Sequence, residues 1–154
     1  MTLNLSLYQS DNTEWETPAH LFTALHKEFR FTLDAAASAK NAKVSRYYDQ
    51  KQDALQLRWS GRVWLNPPYG SMIPQFVEKA RDEVLQKHCK LVVCLLPVRS
   101  DTQWWHRNVM HSTELRLLTR RLSFVGSNNK APFPACIVIF AGGVYSPVLN
   151  VQVV

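Results

Sequence analysis

Four consecutive residues, Asn66–Tyr69, combine a side-chain amide, a rigid turn and an aromatic ring in the order Asn-Pro-Pro-Tyr. They follow Arg62–Leu65, a short apolar run that is typical of a buried strand. Two successive prolines fix the backbone and remove two N–H donors, so the Pro67 carbonyl is held beside the Asn66 side chain. Polar groups just after a strand lie where open α/β sheets place their ligand sites.

This arrangement favours recognition of an amino group on a planar ring, such as N6 of adenine. The Asn66 amide oxygen and the Pro67 carbonyl are acceptors for its two hydrogens, and Tyr69 offers a face on which the ring can stack. The alternative interpretation is structural, a Pro-Pro turn followed by an ordinary buried tyrosine. The candidate catalytic residues are Asn66, Pro67, Pro68 and Tyr69.

Length and composition indicate one folded domain. The chain has 154 residues, so we expect a single domain over residues 1–154. Its net charge of +6 favours a polyanionic partner such as DNA, although a basic surface without such a partner fits as well. No apolar run reaches the length of a membrane span, so no membrane association is expected. The three cysteines lack metal-ligand spacing, so we expect no metal, a reducing compartment and core positions for Cys94 and Cys136.

The first third of the chain contains a helix start and a possible cofactor corner. Thr17 followed by Pro18 predicts a helix with Thr17 as N-cap and Pro18 in the first position. A short strand, Phe31–Leu33, then ends at Asp34 and is followed by the small residues Ala35–Ser38. A carboxylate and small side chains at a strand end suit a cofactor that approaches the backbone. An Ala-rich helix start capped by Asp34 fits the same residues.

Apolar runs further along predict the remaining elements. A helix begins at about Ser71, and Leu91–Pro97 is typical of a strand buried on both sides. Strands are also predicted at Leu115–Phe124 and Ala135–Phe140, and residues 144–154 either add an edge strand or trail. Because helices alternate with strands, we predict an α/β fold with a mostly parallel sheet and helices on both faces. Because a short connection joins the two last of these strands, we predict that they pair antiparallel, so that the sheet has an antiparallel last strand.

Several motifs together resemble the phage-type DNA N6-adenine methyltransferase family. They are Trp-x-Thr-Pro at residues 15–18, Leu-Asp-Ala-Ala at 33–36, Asp-Ala-Leu at 53–55 and the Asn-Pro-Pro-Tyr segment, and the likeness covers about residues 13–141. The resemblance implies a Rossmann-like class I methyltransferase fold, S-adenosyl-L-methionine as cofactor and DNA as partner. It also implies a phage or prophage protein in the cytoplasm of a bacterial host.

The resemblance assigns roles to individual residues. It implies that the cofactor is bound by Trp15, Thr17, Pro18, Asp34, Ala35, Ala36 and Asp53. It implies that Phe124 or Phe133 supplies a second aromatic face. Phosphate contacts are expected from basic residues near the site, for which ordinary solvated surface is the alternative; these are Arg99, Arg120, Arg121 and Lys130.

The chain departs from the family pattern in its cofactor corner. Asp34–Asn41 contains no glycine, whereas a glycine-rich loop is common in such enzymes, and Asp49 is the only candidate for the cofactor ribose, in a poor position. We expect no separate target-recognition domain, so specificity comes from loops or is weak. Since related enzymes use Asp in place of Asn66, Asn66→Asp is expected to retain part of the activity.

Two other functions remain open from the sequence. The same tetrapeptide serves enzymes that methylate a glutamine side-chain amide in proteins. The chain could also be a DNA-binding methyltransferase remnant that has lost its cofactor site. Transfer of a labelled methyl group to DNA rather than to protein would distinguish the DNA enzyme from the glutamine-amide methyltransferase. Stabilisation of the fold by S-adenosyl-L-methionine would distinguish the enzyme from the remnant, which should not be stabilised.

Overall fold

A computed structural model describes residues 15–142 and the backbone of residues 150–153. In chain order the elements are α1 (Ala19–Phe29), β1 (Leu33–Asp34), β2 (Gly61–Leu65), α2 (Ile73–Leu85), β3 (Cys89–Pro97), α3 (Gln103–Asn108), a 3-10 helix (Val109–His111), β4 (Glu114–Leu117), β5 (Ala135–Ala141) and β6 (Asn150–Val153). Helices precede β1 and lie between β2 and β3 and between β3 and β4, whereas β1 and β2 follow one another without a helix.

The strands form one six-stranded sheet in the order β1-β2-β3-β5-β4-β6. β1, β2 and β3 are parallel neighbours, β5 is antiparallel to both β3 and β4, and β6 is parallel to β4. The predicted α/β class is confirmed, and the sheet is mixed. The antiparallel strand is β5, as expected for Ala135–Phe140, but it is not the last strand, because β6 follows it and pairs with β4.

The start of α1 differs from the prediction. Pro18, with φ −57° and ψ 137°, is the N-cap residue, and the helix begins at Ala19. The Phe22 N–H donates to the Pro18 carbonyl at 3.1 Å, so proline caps the helix through its backbone. The prediction of Thr17 as N-cap is wrong, because its hydroxyl instead accepts a hydrogen bond from Asn66, at the end of β2.

The segment after β1 is not helical, so the Ala-rich helix start is wrong. The Asp34 carboxylate accepts hydrogen bonds from the N–H groups of Ala36 at 3.4 Å and Lys43 at 3.0 Å, which curls the intervening loop around it. The chain then returns beside β1, where Asp34 pairs with Tyr47 in a parallel bridge. β1 and β2 are therefore joined by an irregular crossover that lacks a helix.

The strand predicted for Leu115–Phe124 is shorter than expected. β4 ends at Leu117, which pairs with Cys136, and one further hydrogen bond joins the Leu118 N–H to the Ala135 carbonyl at 3.3 Å. On the partner side the sequence continues through Pro134 and Pro132, which have no N–H groups to donate. The ladder stops there, and residues 118–134 form a loop.

The hydrophobic core lies between the sheet and its helices. Trp64 of β2 is 1% exposed and packs edge-on against Phe22 of α1, with ring centroids 5.6 Å apart. The prediction that Leu91–Pro97 is buried throughout is confirmed, and Cys94 and Cys136 are fully buried free thiols, also as predicted. In the described ranges, no helix is both long and apolar enough to cross a membrane.

A buried carboxylate ties the beginning of β2 to α2. Glu83 is 4% exposed; it accepts a hydrogen bond from the Trp59 N–H at 3.0 Å and pairs with Lys79 at 2.6 Å. Its Oε2 also lies 3.0 Å from His88 Nδ1. Burial alone would raise the pKa of Glu83, but the hydrogen bonds outweigh it and lower the pKa below its ordinary value. Glu83 therefore stabilises the fold in its ionised form.

We predict that Glu83→Ala lowers the free energy of unfolding by roughly 1–3 kcal/mol, since it leaves the buried Trp59 N–H without an acceptor. Urea denaturation near neutral pH measures the effect. Because the folded-state pKa is lowered, the stabilisation is present above the ordinary carboxyl pKa and is lost as the pH falls through the lowered value. Glu78→Ala, on the exposed side of the same helix, is the control, and an equal loss there would contradict this account.

Candidate active site

Residues that are distant in sequence meet at one edge of the sheet. Because β1, β2 and β3 are parallel neighbours, their carboxyl ends lie together. Asp34 ends β1 and Asn66 directly follows β2. The loop of residues 118–134 reaches the same edge, since Ala135 at the start of β5 pairs with Pro97 at the end of β3. This edge is where α/β sheets place ligands.

A cavity of about 640 Å³ opens at this edge. Its size falls within the range typical of small-molecule sites, about 300–1,000 Å³. The predicted cofactor and catalytic residues share its wall, with the exception of Pro18, which is buried nearby. Those that line the cavity are Trp15, Thr17, Asp34, Ala35, Ala36, Asp53, Asn66, Pro67, Pro68 and Tyr69.

Asn66 is held in the cavity wall by its amide nitrogen. Nδ2 donates to the Trp15 carbonyl at 2.5 Å and to Thr17 Oγ1 at 3.1 Å. The amide oxygen Oδ1 is buried and accepts no hydrogen bond from any residue that the structure describes. A buried acceptor without a donor is costly and uncommon in native proteins. Asn66 therefore lines the cavity and carries an oriented, unused acceptor that is buried in this structure.

Tyr69 is fixed by both its hydroxyl and its ring. The hydroxyl donates to the Leu95 carbonyl of β3 at 3.1 Å, and the residue is 9% exposed. Burial raises the pKa of Tyr69 well above its ordinary value, so the hydroxyl stays protonated and continues to donate. The hydroxyl is thus used to anchor the turn to β3, and Tyr69 lines the cavity.

Four rings from three segments form an aromatic cluster, which we define as Trp15, Tyr69, Phe124 and Phe133. Phe133 lies 5.3 Å from Tyr69 and 5.6 Å from Trp15, measured between ring centroids. Phe124 lies 5.1 Å from Trp15 and 6.2 Å from Tyr69. Phe124 and Phe133 belong to the 118–134 loop and are 2% and 6% exposed, so in this structure the loop covers Tyr69.

The two aspartates assigned to the cofactor have structural partners of their own. Both oxygens of Asp34 accept main-chain hydrogen bonds; burial raises its pKa, and these bonds offset the rise only in part. Asp53 is exposed, has φ of +52° and accepts from the Leu55 N–H at 3.2 Å. A left-handed backbone is tolerated well by aspartate. Across the described residues, no group of His, Cys, Asp and Glu side chains is arranged to hold a metal ion.

The structure places in the cavity wall one polar residue that sequence reasoning missed and one that it considered poorly placed. Lys43 lines the cavity and pairs with Glu16 at 3.1 Å. Asp49, the possible ribose contact that the sequence placed poorly, lines the cavity as well, because residues 46–48 run beside β1 and end at Asp49. A short run ended by a carboxylate was the pattern that identified Asp34, and it could also have identified Asp49. No sequence pattern marks Lys43.

The predicted DNA-contacting residues lie around the same edge of the sheet. Arg120, Arg121 and Lys130 are exposed on the 118–134 loop, and Arg121 donates to the Ala131 carbonyl at 3.4 Å. Arg99 follows β3 and donates to Asp101 at 3.2 Å. Their positions would allow contact with a polyanion at the mouth of the cavity, and the DNA role stays a prediction.

The family model described as DNA N-6-adenine-methyltransferase (Dam) matches residues 5–140. The chain belongs to this family. A DNA N-6-adenine-methyltransferase of Haemophilus phage HP1 is 33% identical over 144 residues, which are 86% of this chain and 80% of the phage protein. A DNA N-6-adenine-methyltransferase of Escherichia phage T1 is 34% identical over 105 residues, 66% of this chain but 42% of that protein. The family resemblance inferred from the sequence is confirmed.

Family membership gives the site geometry a chemical context. The Dam family match includes residues 15–140, and hence all four rings of the aromatic cluster and the two residues, Trp15 and Thr17, that join Asn66 to the segment before α1. An adenine amino group carries two hydrogens, and an unused acceptor at the end of β2 is suited to one of them.

We predict that Tyr69→Phe lowers the free energy of unfolding by about 1 kcal/mol, because the buried Leu95 carbonyl loses its donor. Tyr69→Ala should cost about 3–5 kcal/mol, since it also leaves a cavity beneath the aromatic cluster. Chemical denaturation measures both.

The control is Tyr48→Phe. The Tyr48 hydroxyl donates to the Arg58 carbonyl at 3.0 Å and accepts from Arg46 at 3.2 Å, both in exposed positions where water can replace the lost bonds. An unchanged free energy of unfolding in Tyr69→Phe, or an equal loss of this free energy in Tyr48→Phe, would contradict an anchoring role for the Tyr69 hydroxyl.

Proposed function

We propose that this chain transfers a methyl group from S-adenosyl-L-methionine to N6 of adenine in DNA, with Asn66–Tyr69 as the catalytic centre. The observation that carries the proposal is the Asn66 side chain, whose nitrogen is engaged and whose buried oxygen is unused. Family membership supplies the reaction class, and the cavity beside Asn66 supplies room for a cofactor.

The residues of the site would act mainly by positioning. S-adenosyl-L-methionine, when bound, supplies a methyl group activated by its attachment to a positively charged sulfur. Asn66 Oδ1 and the Pro67 carbonyl would each accept one hydrogen of the adenine amino group, which directs the nitrogen lone pair out of the ring plane. Holding reactants in such an arrangement can lower a barrier by roughly 7–11 kcal/mol. No strong base is needed before attack, because the nitrogen gains positive charge before it loses a proton.

The cofactor would lie in the cavity between the corner after β1 and the end of β2. Ala35 and Ala36 leave the backbone accessible there, although the loop has no glycine. We assign the ribose hydroxyls to Asp49 and the adenine amino group of the cofactor to Asp53, since both carboxylates line the cavity. Thr17 and Trp15 would contact the methionine end, near Asn66. The chemistry of these residues fits the cofactor. We also propose that the fold is a Rossmann-like class I methyltransferase fold.

The target adenine would stack on Tyr69 after rotating out of the duplex. Base flipping costs a few kcal/mol, and stacking on an aromatic side chain returns roughly 1–3 kcal/mol. Because Phe124 and Phe133 cover Tyr69 in this structure, we propose that the 118–134 loop shifts to admit the base and that one of these rings then stacks on its other face. The basic residues of the loop would hold the flanking phosphates.

The alternatives differ in what they require. A glutamine-amide methyltransferase would use the same acceptors, and the family match favours the DNA enzyme over it. A DNA-binding remnant without a cofactor site is disfavoured by the cavity and its polar wall. Since both named relatives are phage proteins, we propose that this chain acts in the cytoplasm of a bacterial host.

Asn66→Ala tests the catalytic assignment. Its rate of single-turnover methyl transfer to adenine-containing DNA should fall by about 10²–10³, the usual loss when one oriented polar group is removed from a transition state. Its affinity for S-adenosyl-L-methionine should change much less than its rate, because the hydrogen bond to the substrate is felt mainly in the transition state. The variant also loses the two Nδ2 hydrogen bonds to Trp15 and Thr17, so its free energy of unfolding should fall by roughly 1–3 kcal/mol, and the rates are compared for folded protein. Asn128→Ala, in the exposed loop, is the control. A folded Asn66→Ala protein with wild-type turnover would remove Asn66 from the catalytic centre.

The DNA interface can be tested by salt dependence. The logarithm of the affinity for a short duplex should fall linearly with the logarithm of salt concentration. Replacing both Arg120 and Arg121 by alanine should flatten the slope by up to roughly two, one for each phosphate that is no longer bound by an arginine. Lys27→Ala with Lys90→Ala is the matched control, since these exposed lysines lie near the amino ends of β1 and β3. Equal slopes in the two double variants would contradict an interface on the 118–134 loop.

A further inference from the structure

We propose that Trp15 and Thr17 decide which atom of the Asn66 side chain meets the substrate, and that this chain therefore requires an amide and not a carboxylate at position 66. The inference rests on the proposed function, because it concerns the orientation of the same catalytic group. It assigns Thr17 and the Trp15 backbone as positioning elements, in addition to any contact with the cofactor.

The orientation follows from the hydrogen-bonding capacity of each atom. The Trp15 carbonyl can only accept, and it lies 2.5 Å from Asn66 Nδ2. If the amide were turned over, Oδ1 would face that carbonyl, and two acceptors would meet without a hydrogen between them. Thr17 Oγ1 provides a second acceptor for the same nitrogen, at 3.1 Å, and Thr17 is 1% exposed, so water does not compete there. Both contacts turn Oδ1 away from the segment before α1.

A carboxylate cannot satisfy this arrangement while it is ionised. Asn66→Asp would place a negatively charged oxygen against the Trp15 carbonyl, in a buried position where an unpaired charge is costly. A protonated carboxyl group, in contrast, has one O–H donor for the Trp15 carbonyl and one oxygen left to accept from the substrate. It reproduces the pattern of the amide. The expectation from related enzymes, that Asn66→Asp retains part of the activity, therefore holds here only for the protonated form.

The charges around position 66 favour protonation of the introduced acid. Glu16 and Lys43, which line the same cavity, form an ion pair and largely compensate each other. The remaining charged groups in the cavity wall are Asp34, Asp49, Lys51 and Asp53, with a majority of acids. Tyr69 stays neutral. Burial and neighbouring carboxylates both raise the pKa of a carboxyl group, so the pKa of the introduced acid should lie above its ordinary value of about 4.

The first experiment measures the rate of single-turnover methyl transfer at saturating cofactor over a series of pH values. The rate of each variant is divided by the wild-type rate at the same pH. At about pH 8, well above the ordinary carboxyl pKa, Asn66→Asp should be as slow as Asn66→Ala. On lowering the pH to about 5.5, the relative rate of Asn66→Asp should rise by about tenfold or more, while Asn66→Ala stays flat. Near-wild-type activity of Asn66→Asp at about pH 8 would overturn the inference.

The second experiment is a double-mutant cycle on Thr17. Thr17→Val keeps the shape of the side chain and removes the hydroxyl, and it should slow single-turnover transfer by about tenfold, as expected for loss of one hydrogen bond. Thr17→Ser should restore the wild-type rate. In an Asn66→Ala background Thr17→Val should have no further effect on the rate, because Thr17 acts through Asn66. An equal loss in both backgrounds, or a loss of cofactor affinity with an unchanged rate, would overturn the positioning role.

The same variants separate this inference from the proposed function. Wild-type turnover in Asn66→Ala would refute the catalytic centre itself. A slow Asn66→Ala protein together with a wild-type rate in Thr17→Val would leave the catalytic centre in place and refute only the positioning by Thr17.

Discussion

The hydrogen bonds from the Asn66 amide nitrogen to Trp15 and Thr17 are the contacts on which the geometry of the site depends. They join the segment before α1 to the end of β2, and so bring together the two motifs that border the cavity. They also use the donor half of the amide and leave the acceptor half without a partner in the described chain. A single side chain thus links the assembly of the site to the catalytic role that we propose for Asn66.

The sheet supplies the frame within which this contact can form. Parallel pairing of β1, β2 and β3 places Asp34, Asn66 and the end of β3 at one edge, and the Tyr69 hydroxyl ties the turn after Asn66 to the Leu95 carbonyl of β3. The antiparallel strand β5 carries the 118–134 loop to the same edge. The aromatic cluster forms where this loop meets Tyr69, so the tyrosine is covered by a segment without regular structure.

The sequence predicted those features that local patterns determine. Continuous apolar runs identified β3 and β5, because strands buried on both faces need no polar residues. The prediction that Thr17 caps α1 was wrong, because a hydrogen bond from Asn66 at the end of β2 outweighed the tendency of threonine to cap a helix. The local pattern also predicted too long a strand for β4. The strand ends where the neighbouring strand is preceded by prolines, and residues 115–124 alone do not reveal this.

The motifs located the cavity but not the role of each side chain in it. The sequence placed Asp34 at a cofactor corner, whereas both of its oxygens bind the backbone of the loop that follows. Asp49 was a candidate in a poor position by sequence, and it lines the cavity because residues 46–48 run beside β1 without forming a regular strand. Such tertiary contacts have no periodic pattern, so only the folded chain reveals them.

The most direct test of the central claim is a crystal structure of this chain with S-adenosylhomocysteine and a short DNA that contains adenine. The account predicts that Asn66 Oδ1 lies about 2.7–3.2 Å from N6 of a flipped adenine. It also predicts that Nδ2 keeps its contacts with the Trp15 carbonyl and Thr17. An adenine bound with its amino group away from Asn66, or an Asn66 side chain released from Trp15 and Thr17 in the complex, would contradict it.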